Sequence, residues 1–194
     1  MMKLMEQLQR YTPYNEQEAA DLPKLIDFLE TGETPFDRAN TTAHFTASAW
    51  IVNRERTKVL MVYHNIYNSW SWTGGHADGE EDLLAVALKE AREETGVTHL
   101  IPVSEEPVSV EIITVNGHEK KGNYVSSHLH YNVTYLLEAR ELDDIRMKPD
   151  ENSGVAWFSV EEALAASTEP WMVERIYGKL VEKAGKIDQN TSKN

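Results

Sequence analysis

Cysteine is absent from the 194 residues. That excludes disulfides, thiolate zinc sites and a cysteine nucleophile together. Basic side chains are few, 19 Lys and Arg against 32 Asp and Glu, and the formal net charge is −13. A non-specific nucleic-acid binder or a protein held to anionic membranes needs basic patches, so neither is expected. Phosphate-bearing substrates remain compatible with this charge if a metal ion supplies the positive partner. Long apolar runs are missing too. None spans a bilayer, and Met1-Met2-Lys3 leads into nothing like a signal segment, so a soluble cytoplasmic protein is expected. No internal repeat is evident. The 41 % of hydrophobic residues can fill the core of one domain with an added segment.

The chemistry is concentrated in Gly74–Val97, which reads GGHADGEEDLLAVALKEAREETGV. Asp78-Gly79 and the acids after it mark a helix start, and Gly96 marks its stop. At about 100° per residue, Leu84, Ala87, Leu88 and Ala91 form a stripe that should face a core. Glu90, Glu93 and Glu94 fall within an arc of about 100° beside that stripe. At helix-neighbour spacing and an effective dielectric near 20, each like-charge pair costs ~3 kcal/mol before salt screening. Glu93 and Glu94 also sit at the negative end of the helix dipole, and Lys89 and Arg92 offset only part of this. A divalent cation reverses the sign of the whole arrangement. Hard oxygen donors on a rigid helix suit Mg²⁺ or Mn²⁺, usually together with substrate phosphates.

From Gly75 the stretch resembles the Nudix box, Gly-x5-Glu-x7-Arg-Glu-apolar-x-Glu-Glu-x-Gly-apolar. Gly75, Glu81, Glu90, Ala91, Glu93, Glu94, Gly96 and Val97 fall in register with it. Lys89 departs from the usual arginine; it cannot hold a glutamate with a two-pronged fork, so the orientation of the neighbouring acids rests on other contacts. The resemblance implies a metal-dependent hydrolase of phosphoanhydride bonds, using one to three Mg²⁺ or Mn²⁺ ions held by Glu90, Glu93 and Glu94. It implies that Gly74 and Gly75 let the backbone approach the helix, and that Glu81 supports the site without binding an ion directly. It also picks out Glu151, six residues before Trp157, as a catalytic or metal-binding acid. The general base is then one of the box glutamates or Glu151. The substrate class is a nucleoside diphosphate linked to another moiety, or a related organic pyrophosphate.

Along the chain, Leu4 to Thr31 has helical spacing in two pieces broken at Thr12-Pro13, with Leu22, Leu25, Ile26 and Leu29 on one face. It is expected to cap the domain or a second subunit, and a homodimer through these helices is compatible with the pattern. Ala43–Val52 alternates as a strand, Lys58–Tyr63 is a second, and Trp70–Thr73 a short third feeding the glycine pair. Val108–Val115 and Ser127–Ala139 read as strands on either side of a polar loop, and Val155–Phe158 as another. Ser159 opens a capping box with Glu162, and Pro170 to Ala184 carries a last helix. The fold class is therefore α+β. The resemblance makes it an α/β/α sandwich with a mixed β-sheet over 42–185, an N-terminal helical extension over 1–41, and a disordered tail over 186–194. His44, Trp50, Tyr63, His128 and His130 are candidates to line the cleft, and the pair Lys120-Lys121 to touch a phosphate. His128 and His130 share a strand face, which fits a structural or substrate-contacting role better than a metal site. Two rivals stand beside the hydrolase. A non-catalytic nucleotide-metabolite sensor with this fold would be expected to lack the box glutamates, which are present here. An enzyme like isopentenyl-diphosphate isomerase leans on a cysteine, which is not.

Overall fold

Strict alternation in Ala43–Val52 sends Phe45, Ala47, Ala49 and Ile51 to one side of a strand and His44, Thr46, Ser48 and Trp50 to the other. All ten residues are buried, which requires layers on both faces. The computed structural model describes residues 1–120 and 122–191. The second member of the Lys120-Lys121 pair, and with it that candidate phosphate contact, lies outside the described residues, as does the end of the predicted tail.

The elements run α1 (Met2–Arg10), α2 (Glu16–Thr31), β1 (Ala43–Val52), β2 (Lys58–His64), β3 (Ser69–Ser71), β4 (Thr73–His76) and α3 (Leu83–Thr95). They continue with β5 (Leu100–Pro102), β6 (Ser109–Val115), β7 (His118–Lys120), β8 (Asn123–Val125), β9 (His128–Ala139) and β10 (Asn152–Ser159). Helices α4 (Val160–Ala166), α5 (Pro170–Met172), a π-helical turn (Val173–Tyr177) and α6 (Gly178–Thr191) close the chain. The central sheet has the order β10-β2-β1-β9-β5, with β3 on β2, β4 on β1 and β6 on β9. Only the β1–β9 pair is parallel among these contacts, running from Ala43↔Leu129 to Val52↔Glu138. The sheet is mixed, as expected.

One face carries Phe45, Ala47, Ile51, Val133, Tyr135 and Leu137 against Leu83, Ala87 and Ala91 of α3. Leu4, Leu8, Leu22, Leu25 and Leu29 of α1 and α2 belong to the same core. Each such leucine, fully buried, is worth about 1.5–3 kcal/mol. The opposite face packs Trp50, Met61 and Leu136 against Ile176, Tyr177 and Leu180. This is the α/β/α sandwich. Among the described residues no helix is long and apolar enough to cross a membrane.

A buried ionic network fastens α2 to α6 and to the sheet. Lys179 Nζ lies 3.0 Å from Glu18 and 3.4 Å from Glu111, and Lys183 lies 3.1 Å from Glu18. Glu111 also accepts from Asn132 at 2.9 Å and Thr134 at 3.0 Å. Burial alone would raise the Glu18 carboxyl, but Lys179 and Lys183 outweigh it and hold the group below the usual carboxylate range.

Several elements depart from the expected pattern. Trp70–Thr73 is not one strand: β3 pairs with β2 and β4 with β1, and the chain changes partner at Trp72. The polar loop after β6 holds the hairpin β7–β8, and β5 is an additional edge strand ending in Pro102, a residue that edges tolerate. Helix α6 runs on to Thr191, beyond the Lys186 at which a disordered tail is expected.

Candidate active site

The glycine pair sets the geometry. Strand β4 lies antiparallel beside β1, with Gly74 opposite Ser48 and Gly75 opposite Ala47. A Cβ on Gly74 would sit 2.7 Å from the Ala47 carbonyl oxygen, and one on Gly75 would sit 2.5 Å from the Glu90 carboxyl carbon. A side chain at 74 would force β4 away from β1, and one at 75 would push the Glu90 carboxyl out of place. Helix α3 starts at an Asp82 cap that accepts from the Leu84 and Ala85 amides, and it ends at Gly96 with φ 76°. This fixes the helix between two chemical stops, so Glu90 and Glu94 face the cavity from successive turns.

The acids do not all converge. One carboxylate oxygen from each of Glu90, Glu94 and Glu151 lies within 4.8 Å of the others. Glu94 is only 4 % exposed, and it accepts from the Gly74 amide at 3.1 Å. Burial pushes its carboxyl up to about 8; the Gly74 hydrogen bond pulls the other way, and the charges of Glu90 and Glu151 add to the rise. Glu93 lies outside the trio. It pairs with Lys148 at 2.9 Å and with Lys89 at 3.8 Å, and the Lys148 hydrogen bond lowers its carboxyl. Lys148 also reaches Glu151 at 3.0 Å. Burial would lower the Lys148 ammonium, but the two carboxylates prevail and raise it. Lys89 touches Glu90 with a single contact of 3.1 Å, the weaker substitute for an arginine fork. Glu81 is exposed and pairs with the amino group of Met1, away from the trio.

Two positions that sequence reasoning overlooks hold this arrangement. Asn152 donates to the Glu94 carbonyl at 3.0 Å and accepts from the Lys148 amide at 3.1 Å. It ties the loop that carries Glu151 to the end of α3. Its neighbour Glu151 carried a signal; an asparagine in a polar loop carries none. Lys148 is equally silent in the sequence.

These groups line a cavity of about 640 Å³ whose wall also includes Thr46, Ser48, His76, Asn132 and Trp72, within the usual range for small-molecule sites. His44, His128 and His130 line it as expected, and His76 joins them. Trp50 does not. It shares the strand face of His44, Thr46 and Ser48 but lies further along β1, packed 5.3 Å from the Tyr177 ring in the core. Tyr63 meets the edge of Trp70 instead. At the cavity floor Asn132 Oδ1 accepts from Thr46 and Ser48, both at 2.9 Å.

The NUDIX domain model matches residues 42–178. The chain belongs to the Nudix family. Within that family it is similar to the asymmetrical bis(5'-nucleosyl)-tetraphosphatase of Rattus norvegicus, with 30 % identity over 96 residues, 48 % of this chain and 58 % of the rat protein. The match thus spans a little over half of that relative. Solved Nudix structures share the fold. One is a NUDIX-family hydrolase from Clostridium perfringens, 21 % identical, TM-score 0.50, covering 71 % of this chain and 95 % of that one. Another is the E. coli dihydroneopterin triphosphate pyrophosphohydrolase, 17 % identical, TM-score 0.52, covering 71 % and 94 %. The Nudix match begins at residue 42; α1 and α2 precede it and share its core.

Proposed function

We propose that this Nudix protein is a metal-dependent hydrolase that cleaves a phosphoanhydride bond in a nucleoside diphosphate linked to another moiety, or in a related organic pyrophosphate. The observation that carries the reading is the convergence of Glu90, Glu94 and Glu151 within 4.8 Å at the wall of the cavity. Three crowded carboxylates, one of them pushed up to about 8 by burial, favour a bound cation, and the hard oxygen donor set fits Mg²⁺ or Mn²⁺. Family members use such ions, and the similarity to the rat tetraphosphatase puts dinucleoside polyphosphates first among substrates to try.

Glu90, Glu94 and Glu151 would hold the ions, with Glu93 within reach of the same edge once Lys148 swings away. Bound ions neutralise phosphate charge and lower the pKa of a coordinated water. The protein supplies placement, which dominates in phosphoryl transfer. The Gly74 amide fixes one oxygen of Glu94, Gly75 leaves the space that Glu90 fills, and Asn152 fixes the loop of Glu151 against the helix. Water attacks phosphorus, its proton passes to a carboxylate of this set, and the leaving group departs as a phosphate. A positioned base of this kind adds about 10²–10⁴-fold.

The test is a product-mass screen with Mg²⁺ and Mn²⁺ over dinucleoside polyphosphates, nucleotide sugars, ADP-ribose and nucleoside triphosphates. Turnover is expected for at least one, with cleavage between two phosphorus atoms. Tight binding without any product would turn the reading towards a metabolite sensor.

A further inference from the structure

The same cavity carries four imidazoles to which the hydrolytic reading gives no task. Parallel pairing sets His44 of β1 directly beside His130 of β9. Antiparallel pairing brings His76 of β4 opposite Thr46. His128 stands two residues before His130 on the same face. The ring centroids of His44 lie 5.1, 5.1 and 5.0 Å from those of His76, His128 and His130. One ring nitrogen from each of the four lies within 4.8 Å of the others.

Two of the rings are held in a defined tautomer. His44 Nδ1 lies 3.0 Å from the Asn40 carbonyl oxygen and His128 Nδ1 lies 2.8 Å from that of Ser126. A carbonyl only accepts, so each Nδ1 carries the proton and each Nε2 presents a lone pair. His128 Nε2 points at His130 Nε2 across 3.1 Å. His44 is 3 % exposed, and its Nε2 has no hydrogen-bond partner. Burying an acceptor without a partner is costly. Four histidines serving only to pack the sheet would not explain why that lone pair is left open among other imidazole nitrogens. A backbone carbonyl on the far nitrogen is the usual way to orient a metal-binding histidine. Around a tetrahedral ion with metal–nitrogen bonds of about 2.0–2.1 Å, donor nitrogens sit about 3.3–3.4 Å apart, close to the spacing of His128 and His130. Burial holds His44 and His130 below the ordinary histidine range, and the neighbouring imidazoles add to the effect. Those two rings are uncharged near neutrality and do not repel a cation.

We propose that His44, His76, His128 and His130 form a second metal site in the cavity wall, one that takes a borderline divalent transition ion of the Zn²⁺ class. The carboxylate trio offers hard oxygens and selects Mg²⁺ or Mn²⁺; the quartet offers nitrogen and selects Zn²⁺ or Co²⁺. The two sites differ in chemistry, and the second stands whether or not the first supports hydrolysis.

The probe is Co²⁺ added to the full chain in the presence of excess Mg²⁺, followed by visible absorption. One equivalent is expected to bind with the intense bands of tetrahedral cobalt and to be displaced by Zn²⁺. His128→Ala and His130→Ala should each weaken that uptake by about 100-fold or more, whereas Glu90→Gln and Glu94→Gln should leave the bands in place. Crystals of the unaltered protein soaked in Zn²⁺, with anomalous scattering at the zinc edge, give a readout that needs no variant. A peak bonded to the imidazoles supports the site. Uptake lost with the glutamates and indifferent to the histidines, a peak only at the carboxylates, or no cobalt bands at all would overturn it.

Discussion

Two groups of clustered acids, one wholly buried and one at the cavity wall, differ in how fully the chain neutralises them. Glu18 and Glu111, both wholly buried, have Lys179 between them at 3.0 and 3.4 Å, with Lys183 on the outer side of Glu18. Every charge in that network has a partner from the chain itself, and Glu18 is held in its ionised form. Glu90, Glu94 and Glu151 converge just as closely. Yet among the described residues no ion pair reaches Glu94, whose carboxyl is pushed up to about 8. Lys89 pairs with Glu90 and Lys148 with Glu151, which leaves Glu94 as the member of the trio without a lysine among the described residues. A protein that merely needed polar ties between α3 and the sheet would have closed the second group as it closed the first. The difference is the one expected if the first group is a structural charge cluster and the second is the proposed cation site.

The largest effect is expected from breaking the closed group. Lys179→Met leaves two buried carboxylates facing each other and should cost about 3–5 kcal/mol of stability, measured by urea unfolding. Tolerance of that change within 1 kcal/mol would mean the two groups are not different in kind. In the open group, Glu94→Gln should leave the fold at least as stable without metal while turnover of whichever substrate the screen finds drops by about 10³-fold, about 4 kcal/mol of transition-state stabilisation. Unchanged turnover would place the chemistry elsewhere.

The two groups should also answer pH with opposite signs. Glu18 is depressed in the fold, so its contribution to stability is fully present above the ordinary carboxylate value of 4.5 and is lost below it, as pH falls through the lowered folded value. Glu94 is raised, so in metal-free protein the unfolded chain gives up its proton first and stability declines as pH climbs from 4.5 towards 8. Melting temperatures across that range in a chelator should fall on the alkaline side; Mn²⁺ should remove the decline, and Glu94→Gln should flatten it. A decline that persists in the glutamine variant would belong to some other group. The smallest effect is expected at Lys148. It is a partly exposed bridge between Glu93 and Glu151, so Lys148→Ala should cost under about 1 kcal/mol of stability. It should tighten Mn²⁺ binding a few-fold by removing a competing cation; weaker binding would show that Lys148 helps build the site.

What could be seen in the sequence was local. Asp82, Gly96 and the stripe of Leu84, Ala87 and Ala91 define α3 within one stretch of chain, and the Ser159–Glu162 capping box forms as its spacing dictates. Glu90 and Glu94 fall on the predicted edge for the same reason. Whatever depended on pairing between distant strands was invisible. The approach of His76 and His44 to His128 and His130 follows from β1 joining β4 on one side and β9 on the other. Trp50 shares the strand face of His44, Thr46 and Ser48, but it lies further along β1 and packs onto Tyr177. Glu93 shares an arc with Glu90 and Glu94 on a helical wheel, but Lys148 arrives from a loop 55 residues later and draws it aside. Leu22, Leu25 and Leu29 of α2 were recognisable as a face expected to cap the domain or a second subunit, but not as joining the domain's own core together with Leu4 and Leu8.

The central claim, that the Glu90–Glu94–Glu151 notch is a cation site, is tested most directly by calorimetric titration of metal-free protein with Mn²⁺ near pH 7.5, beside the Glu94→Gln variant. Saturable binding accompanied by proton release, with both lost in the variant, is the predicted result. Absence of saturable binding, or the same isotherm in both proteins, would contradict it.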